Sequence, residues 1–256
     1  MSTSCSRLDQ LLFERGLYPS REKARRAIMA GSVEVDGRIL DKPGYAVATA
    51  AEVVVRGPKE PYVSRAGRKL AAALETFAID ARGRVCLDVG ASTGGFTDCL
   101  LQAGAAKVIS LDVGRGQLDY RLRNDPRVIV IEGVNARYLE AGDLPEPVSL
   151  VTIDVSFISL TKVVPAVLLA MAQDGELVCL IKPQFEAPRG SVGKGGILRD
   201  VRLRAEVVER TSRELAASGE LSLVAVADSP VAGIGGNREA LAYYRRAPGA
   251  SGGTTT

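Results

Sequence analysis

Histidine is missing from all 256 residues, and so is tryptophan. Without imidazole there is no Ser-His-Asp triad, Cys-His dyad, histidine zinc ligand or histidine base. Acid–base chemistry near neutral pH therefore falls to Lys, Asp, Glu, Tyr or Cys with shifted pKa values. Stacking on bases or ligands falls to five Phe and seven Tyr. The four cysteines, Cys5, Cys86, Cys99 and Cys179, form no CxxC pair, and the last three stand in apolar runs as small buried thiols do. No GxxxxGK[ST] occurs, which excludes a phosphate-binding P-loop. The longest apolar run, Val163 to Ala172, is far shorter than the ~20 residues a membrane span needs. The opening MSTSCSRLDQ does not read as a leader. A reduced, cytoplasmic protein without a metal site is expected.

What is present is ordinary globular material: 46% hydrophobic and 25% charged residues, with a net charge of +3. The length suits one large domain, or a large one with a small one. Gly57-Pro58-Lys59-Glu60-Pro61 interrupts regular pattern and marks the boundary. Before it, Leu8, Leu11 and Leu12 predict a short helix over 7–15, and Ser20 fits the N-cap of a second over 21–30, stopped by Gly31. That second helix carries Arg21, Lys23, Arg25 and Arg26 against a single acid, Glu22. VEVDGRIL then reads as a hairpin turning at Asp36-Gly37, and Glu52 to Arg56 as an extended run able to pair with it. A charged helix face is usually only solvated. The ordered string RLDQLLFERG, SREKARRAIMAG, VEVDGR, however, resembles the ribosomal S-four-type RNA-binding domain over roughly residues 5 to 60. The resemblance implies that Arg7 and the basic second helix contact RNA phosphates.

From Val85 onward, runs of strand length alternate with longer amphipathic stretches. Candidate strands are 85–89, 108–113, 128–133, 150–155, 177–181, 221–227 and 240–245, with helical stretches at 95–104, 160–172 and 201–218. Continuous Val/Ile/Leu runs separated by helices predict an α/β domain with a mainly parallel sheet covered on both faces. The tail PGASGGTTT has nothing to bury and is expected to be disordered.

The loop Gly90-Ala91-Ser92-Thr93-Gly94-Gly95 follows the first of these strands and opens a helix, with Asp112 ending the next strand about 20 residues on. Such an acid accepts hydrogen bonds from ribose hydroxyls. The spacing is GxxxGG rather than GxGxxG, and acidic Asp88 precedes it. An acid there repels pyrophosphate and suits a cationic ligand, so the charge favours S-adenosylmethionine over a dinucleotide. Asp154 and Lys182 end the fourth and fifth candidate strands, where open α/β sheets place their ligand crevice. Alone, each would be a turn cap or a surface lysine; together beside a donor loop they point to a site.

Taken in order, YVSRAGRKL, LDVGASTGGFTDCLLQ, LDVGRGQL, DVSFISL, IKPQFE, VGKGGILRD and GNREAL closely resemble the TlyA family over nearly all of residues 5 to 246. The family joins an S-four-type domain to an FtsJ-like ribose methyltransferase. The resemblance implies a Rossmann-like, seven-stranded methyltransferase over 83–246, led by a linker and helix over 61–82. It implies methyl transfer from S-adenosylmethionine to cytidine 2′-hydroxyls of 16S or 23S ribosomal RNA, and an influence on capreomycin-type sensitivity. The family also carries a haemolysin label. Its Lys-Asp-Lys-Glu tetrad maps onto Lys69, Asp154, Lys182 and Glu239, with Lys182 as the general base. Glu239 is carried by the shortest motif, and its neighbour Arg238 departs from the family's charge. The donor would be held by Asp88, Gly90, Ser92, Gly94, Phe96, Asp112, Val113 and Gln117, with Asn135 beside the adenine, although Phe96 and Val113 suit ordinary core equally well. Arg65 and Arg68 join the RNA-binding set. The stretch 183–200, with Arg189 and Lys194, reads as a mobile basic lid; from Lys182 to Arg213 eight basic residues face four acidic ones. Two other functions compete: a non-catalytic RNA-binding or assembly protein, which would not bind the methyl donor, and a membrane-active haemolysin, which would leak liposomes without it.

Overall fold

The computed structural model describes residues 4–56, 61–140, 142–188, 190–193 and 195–247. Arg189, Lys194, most of the glycine–proline boundary and the tail from 248 lie outside the described residues. The chain divides into two compact units, 1–59 and 60–256.

In the first unit, β1 (Cys5–Arg7) leads into α1 (Leu8–Glu14) and α2 (Arg21–Met29), followed by β2 (Val33–Val35), β3 (Arg38–Ile39), β4 (Ala46–Ala48) and β5 (Val53–Val55). Ser20 Oγ accepts from the Lys23 amide and caps α2, while Gly31 adopts the left-handed conformation that ends it. Asp36 (φ 47°) and Gly37 (φ 79°) both have positive φ, as a two-residue hairpin requires. β2 is flanked by β3 and β5, and β1 pairs with β4, a ladder that sequence pattern does not announce. Leu8, Leu11, Leu12, Ala24, Ile28 and Val33 form the core between the helices and the strands.

The second unit opens with α3 (Ala66–Thr76), then β6 (Val85–Val89), α4 (Gly95–Gln102), β7 (Lys107–Asp112), the short α5 (Tyr120–Arg123) and β8 (Val128–Glu132). It continues through β9 (Val148–Ile153), α6 (Val164–Leu168), β10 (Met171–Ile181), α7 (Pro183–Glu186), α8 (Val201–Ala216), β11 (Leu221–Asp228) and β12 (Ala240–Arg246). The seven strands stand in the order β11-β12-β10-β9-β6-β7-β8, and only β12 runs against the others. Strand alternation sends Leu87, Ile109, Val151 and Cys179 to one face, packed with α6 and α8. Cys86, Val108, Leu150 and Val178 go to the other face, packed with α3 and α4. Each such residue is wholly buried, so truncating Leu87 to alanine would cost about 2–5 kcal/mol.

Two regions differ from their sequence reading. The stretch 160–172 is a 3₁₀ turn (Leu160–Lys162) followed by only five residues of α6, because β10 already begins at Met171, opposite Val148. The stretch 183–200 is held rather than loose at its described residues. Glu186 caps the turn at Ser159 and Leu160, Gly193 bridges Ile197, and the buried Asn237 side chain bonds Leu198 N and Gly196 O. Among the described residues no helix is long and apolar enough to cross a membrane.

Candidate active site

The carboxyl ends of β6, β9 and β10 meet at one edge of the sheet because the three run parallel as neighbours. Asp154 leaves β9 there, its amide bonded to Val89 O at 2.9 Å. Lys182 leaves β10, and Pro183 starts the next helical turn, which keeps Lys182 extended. Its Nζ lies 2.6 Å from Asp154 Oδ1 and donates to Ser156 Oγ at 2.9 Å. The reversed β12 carries the fourth residue: Ile181 pairs with Ala240, and Glu239 stands just before β12 as Lys182 stands just after β10. Glu239 in turn binds Lys69 of α3, Nζ to Oε2 at 2.5 Å, with both side chains buried. Gly233 packs against that carboxylate, where any Cβ would collide with it. The four residues matched to the tetrad thus form two ion pairs, Lys182–Asp154 and Lys69–Glu239, and Asp154 and Lys182 line the cleft described next.

The glycine loop forms the wall beside them. Gly90 has φ +84°, and a Cβ there would stand 2.7 Å from Asp154 O, so the loop and the β9 exit can approach only with glycine. Ser92 is held left-handed at φ 49°. A cleft is lined by Gly90, Ala91, Ser92, Thr93 and Phe96 together with Ser64, Ala66, Asp154, Ser156 and Lys182. A second, much narrower cleft shares Ala91 and Ser92 with it and reaches Asp112, Gln117 and Glu132. The Asp112 carboxylate accepts from Ser92 N at 2.7 Å and Gly114 N at 2.6 Å, which tie the glycine loop to the end of β7.

Asp88 is more enclosed than its position suggests. It lines neither cleft; it is wholly buried, its Oδ2 accepting from Thr97 Oγ1 at 2.6 Å and its Oδ1 finding no partner. Burial pushes its pKa up to about 7, with the Thr97 hydrogen bond opposing and Asp154 adding to the rise. Gly94 is left-handed at φ +94°, and Phe96 both lines the larger cleft and belongs to the core. Val113 is 68% exposed, which removes the core reading for it, and it stands outside both linings. Asn135 also lies outside them; its side chain caps the turn at Arg137. Arg7 and Arg21 are ion-paired to Asp9 and Arg26 to Glu22; these three are exposed, as are Lys23, Arg25 and Arg65, while Arg68 is half-buried.

Sequence reasoning passed over several residues that the fold places here. Ser64 and Ala66 reach the larger cleft because Val63 N donates to Asp98 and Gln102 donates to Pro61 O, strapping 61–66 onto α4. Ser156 holds Lys182, and its only sequence signal is its place two residues after Asp154. Phe157 follows it, 90% exposed and left-handed at φ +64°, with its ring centroid 4.9 Å from that of Phe185. A bulky residue in that conformation is uncommon, and an exposed ring next in sequence to the cleft residue Ser156 suits stacking on a flat ligand.

The parallel sheet with one reversed strand, the glycine loop and the paired charges at the strand ends define an α/β domain of the methyltransferase kind. The chain belongs to the FtsJ-like methyltransferase family, which it matches over residues 62–246, and residues 6–53 match the S4 domain. It is 47% identical to the Mycobacterium tuberculosis 16S/23S rRNA (cytidine-2'-O)-methyltransferase TlyA, over 94% of this chain and 90% of that protein. It is 43% identical to Hemolysin A of Brachyspira hyodysenteriae, over 93% of this chain and 99% of that one. A solved structure from Streptococcus thermophilus, named as a candidate hemolysin, superposes with a TM-score of 0.75 at 40% identity, covering 96% of this chain and 91% of the other.

Proposed function

We propose that this protein transfers a methyl group from S-adenosylmethionine to the ribose 2′-hydroxyl of cytidine in ribosomal RNA, within ribosomal subunits in the cytoplasm. The observation that carries the reading is the Lys182–Asp154 pair lining a glycine-walled cleft at the strand ends, in a chain whose relative TlyA is named for that reaction.

The residues present suit the methyl donor. Gly90 opens the larger cleft where a side chain would close it, the unpartnered Asp88 Oδ1 is a buried acceptor of the kind a cation completes, and Asp112 offers acceptor capacity to ribose hydroxyls in the smaller cleft. Bound there by Gly90, Ser92, Gly94, Phe96, Asp112 and Gln117, the donor supplies an electrophilic methyl on a sulfonium. The chain's own work is to activate a ribose hydroxyl, a poor nucleophile at neutral pH. Lys182 Nζ, having first released a proton from its pair with Asp154 to solvent, accepts the hydroxyl proton. Asp154 then holds the ammonium formed, and Ser156 fixes the direction of its N–H bonds. The buried Lys69–Glu239 pair ties α3 to the entrance of β12. Holding the hydroxyl in line and excluding water supply much of the remaining acceleration.

The test is transfer of labelled methyl from S-adenosylmethionine to purified ribosomal subunits. Lys182→Ala is expected to lower transfer by roughly a hundredfold or more while RNA binding persists. Transfer unchanged in that variant would remove Lys182 from the proton step, and failure of the wild type to bind the donor in calorimetry would favour a non-catalytic RNA-binding protein.

A further inference from the structure

The first unit holds an arrangement that neither the fold nor the transfer chemistry calls for. Asp9 stands in the first turn of α1 and its side chain is wholly buried, while both cations paired to it reach water. Arg7 Nε donates to Asp9 Oδ1 at 3.0 Å and Arg7 Nη2 to Oδ2 at 3.3 Å; Arg21 Nη2 donates to Oδ2 at 3.0 Å. The two guanidiniums come from different elements, β1 and the start of α2, and are about half exposed at 52% and 50%. Gly44 completes the setting, since a Cβ there would press on Arg7 Nη1 at 3.3 Å. Burial raises the Asp9 carboxyl, yet Arg7 and Arg21 outweigh it and hold it below its ordinary value, so it stays charged.

A buried carboxylate that serves two half-exposed cations is a poor way to stabilise a small domain, because half-exposed ion pairs return little against the cost of desolvation. It is an effective way to fix the direction of two long side chains. Each guanidinium carries five donors in a rigid plane, so each can keep its bonds to Asp9 and still offer donors to a further acceptor. Two positive charges less one negative leave +1, the complement of a single phosphodiester. We infer that Asp9 presets Arg7 and Arg21 as a seat for one RNA backbone phosphate, with Asp9 as a positioning residue that does not itself touch RNA. The inference rests on the reading that the first unit binds RNA.

The sign of one substitution separates the seat from simple electrostatics. Filter binding of the full-length protein to deproteinised 16S and 23S ribosomal RNA is followed from roughly 50 to 200 mM salt. If Asp9 were a bystander, Asp9→Asn would remove a negative charge and tighten binding. As the positioning residue, it is expected to weaken binding roughly fivefold to tenfold and to lower the slope of log affinity against log salt by about one. In an Arg7→Gln/Arg21→Gln background, Asp9→Asn is expected to cause no further loss. A charge-preserving pair, Arg7→Lys/Arg21→Lys, guards against misfolding of the Asp9 variant and should lose as much affinity as the glutamine pair. Wild-type affinity in the lysine pair, or tighter binding by Asp9→Asn, overturns the seat. A Lys23→Gln/Arg25→Gln/Arg26→Gln variant tests the underlying reading separately. If it weakens binding while the Asp9 and lysine variants do not, only the seat fails. If neither it nor the glutamine pair weakens binding, RNA binding by the first unit fails as well.

Discussion

Lys69 and Glu239, 170 residues apart in sequence, form a buried ion pair 2.5 Å long that joins α3 to the entrance of β12. The helix that opens the second unit is thereby fastened to the entrance of its final strand. Removing one partner leaves an uncompensated charge in the interior. Glu239→Ala is expected to destabilise the second unit by about 3–5 kcal/mol in urea denaturation, whereas Lys69→Met/Glu239→Leu should recover most of that loss. Methyl transfer should fail in both, and full transfer by the double variant would show the pair to be structural only.

Asp88 makes stability depend on pH in an uncommon direction. Its folded pKa is raised from 3.8 to about 7, mainly by burial. A raised carboxyl stabilises the folded state fully below its unfolded pKa and loses that contribution as pH rises through the folded value. Between about pH 4 and pH 7 the wild type should therefore lose stability relative to Asp88→Asn, by on the order of a few kcal/mol. Denaturation midpoints for the two proteins at several pH values check this; parallel curves would mean that Asp88 titrates normally.

Cationic ligand binding should act on the same group. A positive charge held in the clefts on the far side of the glycine loop favours the ionised form of the buried Asp88. Donor binding near pH 7 is then expected to release a fraction of a proton, seen in calorimetry as a heat that varies with the ionisation enthalpy of the buffer. Asp88→Asn should abolish the buffer dependence as well as weakening binding.

Phe157 sits in a conformation that costs a bulky residue energy while its ring is 90% exposed. Phe157→Gly is expected to leave stability unchanged or raise it by about 1 kcal/mol, because the left-handed backbone suits glycine. Loss of a stacking surface beside Lys182 should nonetheless lower methyl transfer to RNA, by roughly 1–3 kcal/mol in substrate binding. Unchanged transfer at limiting RNA would remove Phe157 from the substrate path.

Thiol reactivity should divide the cysteines. Cys5 is exposed, while Cys86, Cys99 and Cys179 are buried and unpaired. Burial pushes Cys86 and Cys99 up to about 12 and raises Cys179 as well, so their reactive thiolate is scarce. Ellman's reagent at pH 8 is expected to modify Cys5 alone in the native protein and all four thiols in denaturant.

Local rules carried much of this protein into the sequence. The Ser20 cap, the Asp36-Gly37 turn and the seven apolar runs were legible because capping, turn chemistry and strand burial depend on neighbours a few residues apart. Ordered motifs matched four residues to the family's tetrad, and the missing histidine pointed to a lysine as the proposed base. Distance along the chain hid the rest. No spacing indicates that Lys69 pairs with Glu239 or that Asp9 joins Arg7 to Arg21 as a single cluster. Nor does any reveal that Asp88 is sealed from both clefts, or that Asn237 pins the stretch that composition made look loose. Those facts were decided only when parallel strands carried distant chain ends to one edge and packing removed water. Burial and long-range pairing then set which charges are neutralised, which are held ready, and which side chains a ligand can reach.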